Sequence, residues 1–115
     1  MTVLLVAVGA AVGAPVRYLL GLSLNGRAPL PWGTFAANVV GSLLLGVFAR
    51  AGLGEQMYAL LGVGFCGAFT TYSTFGWETH TLLEVNRVHA TTYALGSLVV
   101  GVAAAALGWW LGGVV

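Results

Sequence analysis

Four long apolar stretches, separated by short polar connections, account for nearly the whole chain. From Thr2 to Leu24 the one charge is Arg17. A polar turn follows, Asn25-Gly26-Arg27-Ala28-Pro29-Leu30-Pro31, whose prolines discourage helix. The second stretch runs from Trp32 to Ala49 and stops at Arg50, ahead of Gly52, Gly54 and Glu55. A third starts near Met57 and reaches Trp77, before Glu78. After Glu84, Asn86, Arg87 and His89, the last stretch extends from Thr91 to Val115 without a charge. A membrane-spanning helix needs roughly 20 mostly apolar residues. The pattern therefore predicts an all-α membrane protein of four spans, about 2–24, 32–49, 57–77 and 91–115, in a single domain over 1–115. The N-terminus has no basic region before its apolar run, so it reads as a retained first helix rather than a cleaved signal.

Composition narrows the function classes. Of 115 residues, 59% are hydrophobic and 6% charged, and the net charge is +1. Four arginines and three glutamates cannot coat a soluble globule of this size. Net charge +1 gives no basic field for phosphates, which excludes nucleic acid as a partner. The lone Cys66 cannot form an intrachain disulfide. His80 and His89 lack metal-ligand spacing with Cys66 or the glutamates, and a chain without aspartate has no Ser-His-Asp set, so no enzyme is expected. Orientation is weakly specified. One side of the membrane receives Arg50, the other Arg27 and Arg87, with Arg17 able to snorkel toward them. Such a chain could insert both ways, for which an antiparallel homodimer is natural; a fixed topology with the first loop cytoplasmic is the alternative. Gly9/Gly13 and Gly108/Gly112 are small-xxx-small pairs, with Gly41/Gly46 a looser one, and they signal close helix packing.

Polar groups at membrane depth are costly and mark candidate function. Thr70-Thr71-Tyr72-Ser73-Thr74 places a dense run of hydroxyls inside the third stretch, after Gly62, Gly64 and Gly67. Threonine and serine can bond back to a continuous helix. Clustered β-branched residues after three glycines favour instead a span broken in mid-membrane, whose free backbone groups must face protein, an ion or water. On the second stretch, Thr34, Asn38 and Ser42 follow at i, i+4 and i+8, one polar stripe that suits either interhelical bonding or a pore. Tyr93 and Ser97 repeat that spacing on the last stretch, but Gly101 and Ala105 continue its face without polar atoms. Tyr72 and Phe75 flank the break; their positive ring edges can receive a small anion without a full positive charge. Glu78 reads as an interfacial carboxylate or a partner for Arg17, and the tryptophans at span ends read as interfacial anchors.

Three motifs then carry a resemblance that covers most of the chain. Gly9-Ala10-Ala11-Val12-Gly13-Ala14-Pro15-Val16-Arg17-Tyr18, Gly33-Thr34-Phe35-Ala36-Ala37-Asn38-Val39-Val40-Gly41-Ser42, and Gly64-Phe65-Cys66-Gly67-Ala68-Phe69-Thr70-Thr71-Tyr72-Ser73-Thr74-Phe75 resemble, in order and at matching spacing, the motifs of the Fluc/CrcB family of fluoride channels. The resemblance implies a dual-topology, antiparallel homodimer of four-helix subunits in the plasma (inner) membrane, with a broken third helix and two fluoride pathways. It implies that Asn38 donates to fluoride with Thr34 nearby, that Tyr72 and Phe75 hold the two phenylalanine-box positions beside Ser73, and that Tyr93 and Ser97 begin a polar track. It further implies that carbonyls of Gly67 and Thr70 from both subunits hold a structural sodium ion (Na+). Two positions depart from the pattern: Tyr72 replaces phenylalanine, and Gly101 lacks the track's later hydroxyl. They leave open a non-conducting accessory subunit working beside a second, paralogous chain in a heterodimer.

The physics agrees with fluoride export. Hydrogen fluoride crosses a bilayer neutral and ionises inside, and a passive anion pore lets an inside-negative potential expel the ion. That potential contributes roughly 2.3 kcal/mol per elementary charge per 100 mV, so no nucleotide site is needed. A small multidrug-type proton-coupled transporter has a similar length, but would need a glutamate inside its first helix, where this chain has only Arg17.

Overall fold

The structure is a computed structural model in which residues 1–24, 31–70 and 72–114 are described, the side chains of residues 23, 24 and 72–74 excepted. Among the described residues every regular element is helical: α1 (Thr2–Leu24), α2 (Trp32–Arg50), α3 (Glu55–Tyr58), a π-helical segment π1 (Ala59–Cys66), α4 (Gly67–Phe69), α5 (Tyr72–Val85) and α6 (Arg87–Val114). Three of them, α1, α2 and α6, are long and apolar enough to cross a membrane. At 1.5 Å per residue the 28 residues of α6 rise about 42 Å, more than the ~30 Å hydrocarbon layer. Their outer faces carry exposed Leu, Val and Trp, as a lipid-facing surface requires.

Helix limits differ from the apolar stretches where polar residues can still be helical. α6 begins at Arg87 rather than Thr91, because the Asn86 side-chain carbonyl accepts the amides of Val88 (3.0 Å) and His89 (3.2 Å) and caps the first turn. α5 runs past Trp77 to Val85; the hydroxyls of Thr79 and Thr81 donate to the carbonyls of Phe75 and Trp77, one turn back. Between α2 and α3 the chain turns at Gly52 (φ 68°) and Gly54 (φ 88°), a left-handed conformation that glycine adopts without a Cβ penalty.

The third apolar stretch is the irregular one. α3 passes into π1, where hydrogen bonds reach one residue further back, and the Gly67 amide that ends it donates to Gly62. α4 then stops at Phe69, and Thr70 is extended (φ −84°, ψ 161°) with its amide and hydroxyl both donating to the Cys66 carbonyl at 2.9 Å.

Glycine decides which helices touch. A Cβ on Gly9 would strike the Leu60 carbonyl oxygen, one on Gly13 the Phe65 carbonyl oxygen, and one on Gly64 the Val6 carbonyl oxygen at 2.6 Å. α1 therefore lies backbone to backbone on π1, and the order of contacts shows the two run parallel. The same holds for α2 on α6, where Gly108 abuts the Leu43 carbonyl and Gly46 the Ala105 carbonyl. Where lipid removes the hydrophobic drive, such close approach is what holds helices together. The small-residue pairs Gly9/Gly13 and Gly108/Gly112 thus sit at helix crossings.

Candidate functional site

Because α2 and α6 run parallel with small residues between them, they stay in register over several turns. Thr34 lies beside Tyr93, Ser42 beside Gly101, Gly46 beside Ala105, and Arg50 over Trp109, a constant offset in numbering. The i, i+4 polar stripe of α2 consequently faces the i, i+4 stripe of α6. Asn38, Ser42 and Ser97 line one groove of about 540 Å³, together with Gly41, Thr70, Phe75 and Gly101. The rest of its lining is mostly apolar, with Leu45, Ala49, Val102, Ala105 and Trp109 beside Tyr58.

α5 closes the polar end. Thr34, 5% exposed, donates its hydroxyl to Glu78 Oε1 at 2.6 Å. The Phe75 ring packs on that of Tyr93 with centroids 5.1 Å apart and planes tilted by 46°. The Tyr93 hydroxyl lies near Thr34 and Glu78 but makes no well-formed hydrogen bond among the described residues. The Ser97 hydroxyl is also buried and has no partner among them. Buried polar atoms are normally satisfied, so two buried hydroxyls without a partner among the described residues, that of Ser97 at the groove itself, suit a polar group that enters from outside.

Of the residues singled out in the sequence, Thr34, Asn38, Phe75, Tyr93 and Ser97 come together here. Gly67 and Thr70 stand at the end of α4, and Thr70 also lines the groove. The side chains of Tyr72 and Ser73 lie outside the described residues. Glu78 is the residue whose place was missed. It takes the Thr34 hydroxyl as its partner, and among the described residues no ion pair joins it to Arg17. Its i+3 spacing from Phe75 was the available signal, since it puts both on one helix face. Cys66 is 1% exposed and serves as a small packing residue.

The arrangement can do limited chemistry. It offers hydroxyl and amide donors, an aromatic edge and one carboxyl, and no cluster of three His, Cys, Asp or Glu occurs among the described residues. Donors strung along a groove between membrane helices suit the passage of a small anion.

Comparison with known proteins points the same way. The model of the family described as "CrcB-like protein, Camphor Resistance (CrcB)" matches residues 4–109. The chain is 49% identical over 112 residues to the protein named fluoride-specific ion channel FluC 2 of Rhodococcus jostii, covering 96% of this chain and 98% of that one. It is 47% identical to FluC 1 of Frankia casuarinae over 120 residues, 94% of this chain and 93% of the relative. The corresponding protein of Clostridium acetobutylicum, FluC 2, is 37% identical over 115 residues, 97% and 95% of the two chains. With membrane-length helices, a donor-lined groove and relatives matched over more than nine-tenths of both chains, the chain belongs to the CrcB (FluC) family.

Proposed function

We propose that this protein is a fluoride-selective passive channel of the plasma membrane that lets cytoplasmic fluoride leave down its electrochemical gradient. It is a multi-pass membrane protein and not an enzyme. The observation that carries the reading is the pair of facing stripes, Thr34 and Asn38 on α2 against Tyr93 and Ser97 on α6, whose two buried hydroxyls have no partner among the described residues. Fluoride is small and strongly hydrated, so a pore must replace its water with donors rather than simply be wide. Thr34, Asn38, Ser73, Tyr93 and Ser97 would supply those donors, and the ring edges of Tyr72 and Phe75 would receive the ion without binding it as tightly as a lysine or arginine.

In the same reading the chain spans the membrane four times. The third span consists of the helical segment 55–69 and α5, broken around Thr70; the extended conformation of Thr70 supports this. Two copies in antiparallel orientation would form a dual-topology homodimer with two pathways, which the near balance of arginines at the two sides supports. The carbonyls of Gly67 and Thr70 fit a structural sodium ion. A helix ending at Phe69 presents carbonyl oxygens outside its own ladder, Gly67 faces open space with nothing within 4 Å of where a Cβ would stand, and neutral oxygens suit a hard cation. Bound there, sodium would supply a fixed positive centre that ties the broken spans of two subunits together.

The test is efflux from liposomes loaded with potassium fluoride. Valinomycin is added, fluoride release is followed with an electrode, and chloride-loaded liposomes serve as the control. Rapid fluoride release with chloride retained is the expected result; equal release of both ions, or of neither, would refute the assignment.

A further inference from the structure

Resting on the reading of the groove as an anion path, the geometry points to Ser42 as its third donor step, with Gly101 opposite it as the clearance that leaves Ser42 to act alone. The paired stripes change character from one turn to the next. At the first step both helices bring polar groups, Thr34 and Tyr93; at the second they bring Asn38 and Ser97. At the third, α2 still brings a hydroxyl while α6 brings Gly101, bare of any side chain. Both line the same groove, and beyond them α2 contributes only Leu45, Gly46 and Ala49 to its lining. Ser42 is therefore the last side-chain donor an ion meets along α2.

Gly101 is not a glycine of the kind that holds these helices together. A Cβ on Gly46 or Gly108 would run into backbone of the facing helix, which demands glycine there. A Cβ on Gly101 would meet only the Ser42 Oγ, at 3.9 Å, an ordinary contact. The helices would accept a small side chain at this position, so the glycine acts on the groove and not on the crossing. It keeps open the space in front of the Ser42 hydroxyl. The same distance means that a hydroxyl carried by residue 101 would occupy the place that Ser42 now serves. The two positions are interchangeable sources of one donor.

That equivalence supplies the test. Wild type, Ser42→Ala, Gly101→Ala and the double variant Ser42→Ala/Gly101→Ser are reconstituted as full-length protein. Circular dichroism and gel filtration confirm that each is folded and of wild-type size before fluoride efflux is measured. Ser42→Ala should slow fluoride efflux about tenfold, equivalent to ~1.4 kcal/mol, the scale of one hydrogen bond to an ion. Gly101→Ala, which narrows the step without adding a donor, should also slow it. The double variant should recover to within about threefold of wild type, because the hydroxyl has only changed helices. Wild-type efflux from Ser42→Ala would overturn the proposal while leaving the channel reading intact, as would a slow Ser42→Ala that the Gly101→Ser change does not rescue. Absence of fluoride efflux from folded wild type would remove the path itself, and the role of Ser42 with it.

Discussion

Replacing Thr34 by valine removes one oxygen from a polar contact that joins two helices of the site and keeps the shape of the side chain. The two side chains have nearly the same shape, and Thr34 is 5% exposed, so water cannot easily take the vacated place. The chief loss is the 2.6 Å hydrogen bond to Glu78 Oε1, which ties the start of α2 to the middle of α5. A hydrogen bond to a charged acceptor contributes about 1.5–3 kcal/mol, and the lower part of that range applies here because Glu78 is half-buried and water can reach its carboxyl. Thr34→Val should therefore destabilise the protein by about 2 kcal/mol. Thr34→Ser, which keeps the hydroxyl, should lose much less. Glu78→Gln keeps an acceptor oxygen but not the carboxylate, so a double-mutant cycle between Thr34→Val and Glu78→Gln isolates the interaction. Denaturation in detergent would measure stability, and liposome efflux would report transport on the same preparations. The geometry predicts a coupling of about 1 kcal/mol or more, whereas distant sites add to within about 0.5 kcal/mol. Simple additivity, with Thr34→Val as stable as wild type, would refute the role given to this contact.

Other perturbations probe other parts of the structure. Asn38→Asp places a negative charge beside the groove and should reduce fluoride efflux by about tenfold or more, since like charges repel strongly away from bulk water; efflux at the wild-type rate would remove Asn38 from the path. Gly108→Ala should lower stability by about 1–3 kcal/mol, because the new methyl would strike the Leu43 carbonyl and separate α2 from α6, and thermal melting of the purified protein measures it. Tyr72→Phe should retain or raise efflux, as the ring edge and not the hydroxyl is assigned the work; complete loss in the liposome assay would reverse that assignment. Exchanging sodium for a large organic cation should inactivate the channel slowly, and full activity persisting after prolonged dialysis would contradict a structural sodium ion.

Much of this molecule was readable in advance because a bilayer is a demanding solvent. Apolar length alone delimited α1 and α2, and the small-residue pairs Gly9/Gly13 and Gly108/Gly112 marked two helix crossings. The i, i+4 spacing of Thr34 with Asn38 and of Tyr93 with Ser97 gave each stripe, but not that the two face one another. Their facing depends on α2 and α6 being parallel and in register, a tertiary relation set by backbone contact at Gly46 and Gly108. The irregularity of the third stretch was visible in its glycines and threonines; its π-helical form and its backbone contact with α1 were not, because both are relations that no local pattern in the segment prints. Glu78 escaped for a related reason. Its position after an apolar run suggested an interface, while the helix that carries it continues to Val85 and turns the carboxyl toward Thr34.

A planar bilayer with a tenfold fluoride gradient, an opposing chloride gradient and a pH difference across it separates a passive fluoride pore from every other reading of this chain. Current through the purified protein should reverse at the fluoride equilibrium potential, about 59 mV for a tenfold gradient of a singly charged ion, and should stay there when the chloride and pH gradients are inverted. A reversal potential that follows chloride or protons, or a folded protein that carries no current, would contradict the assignment.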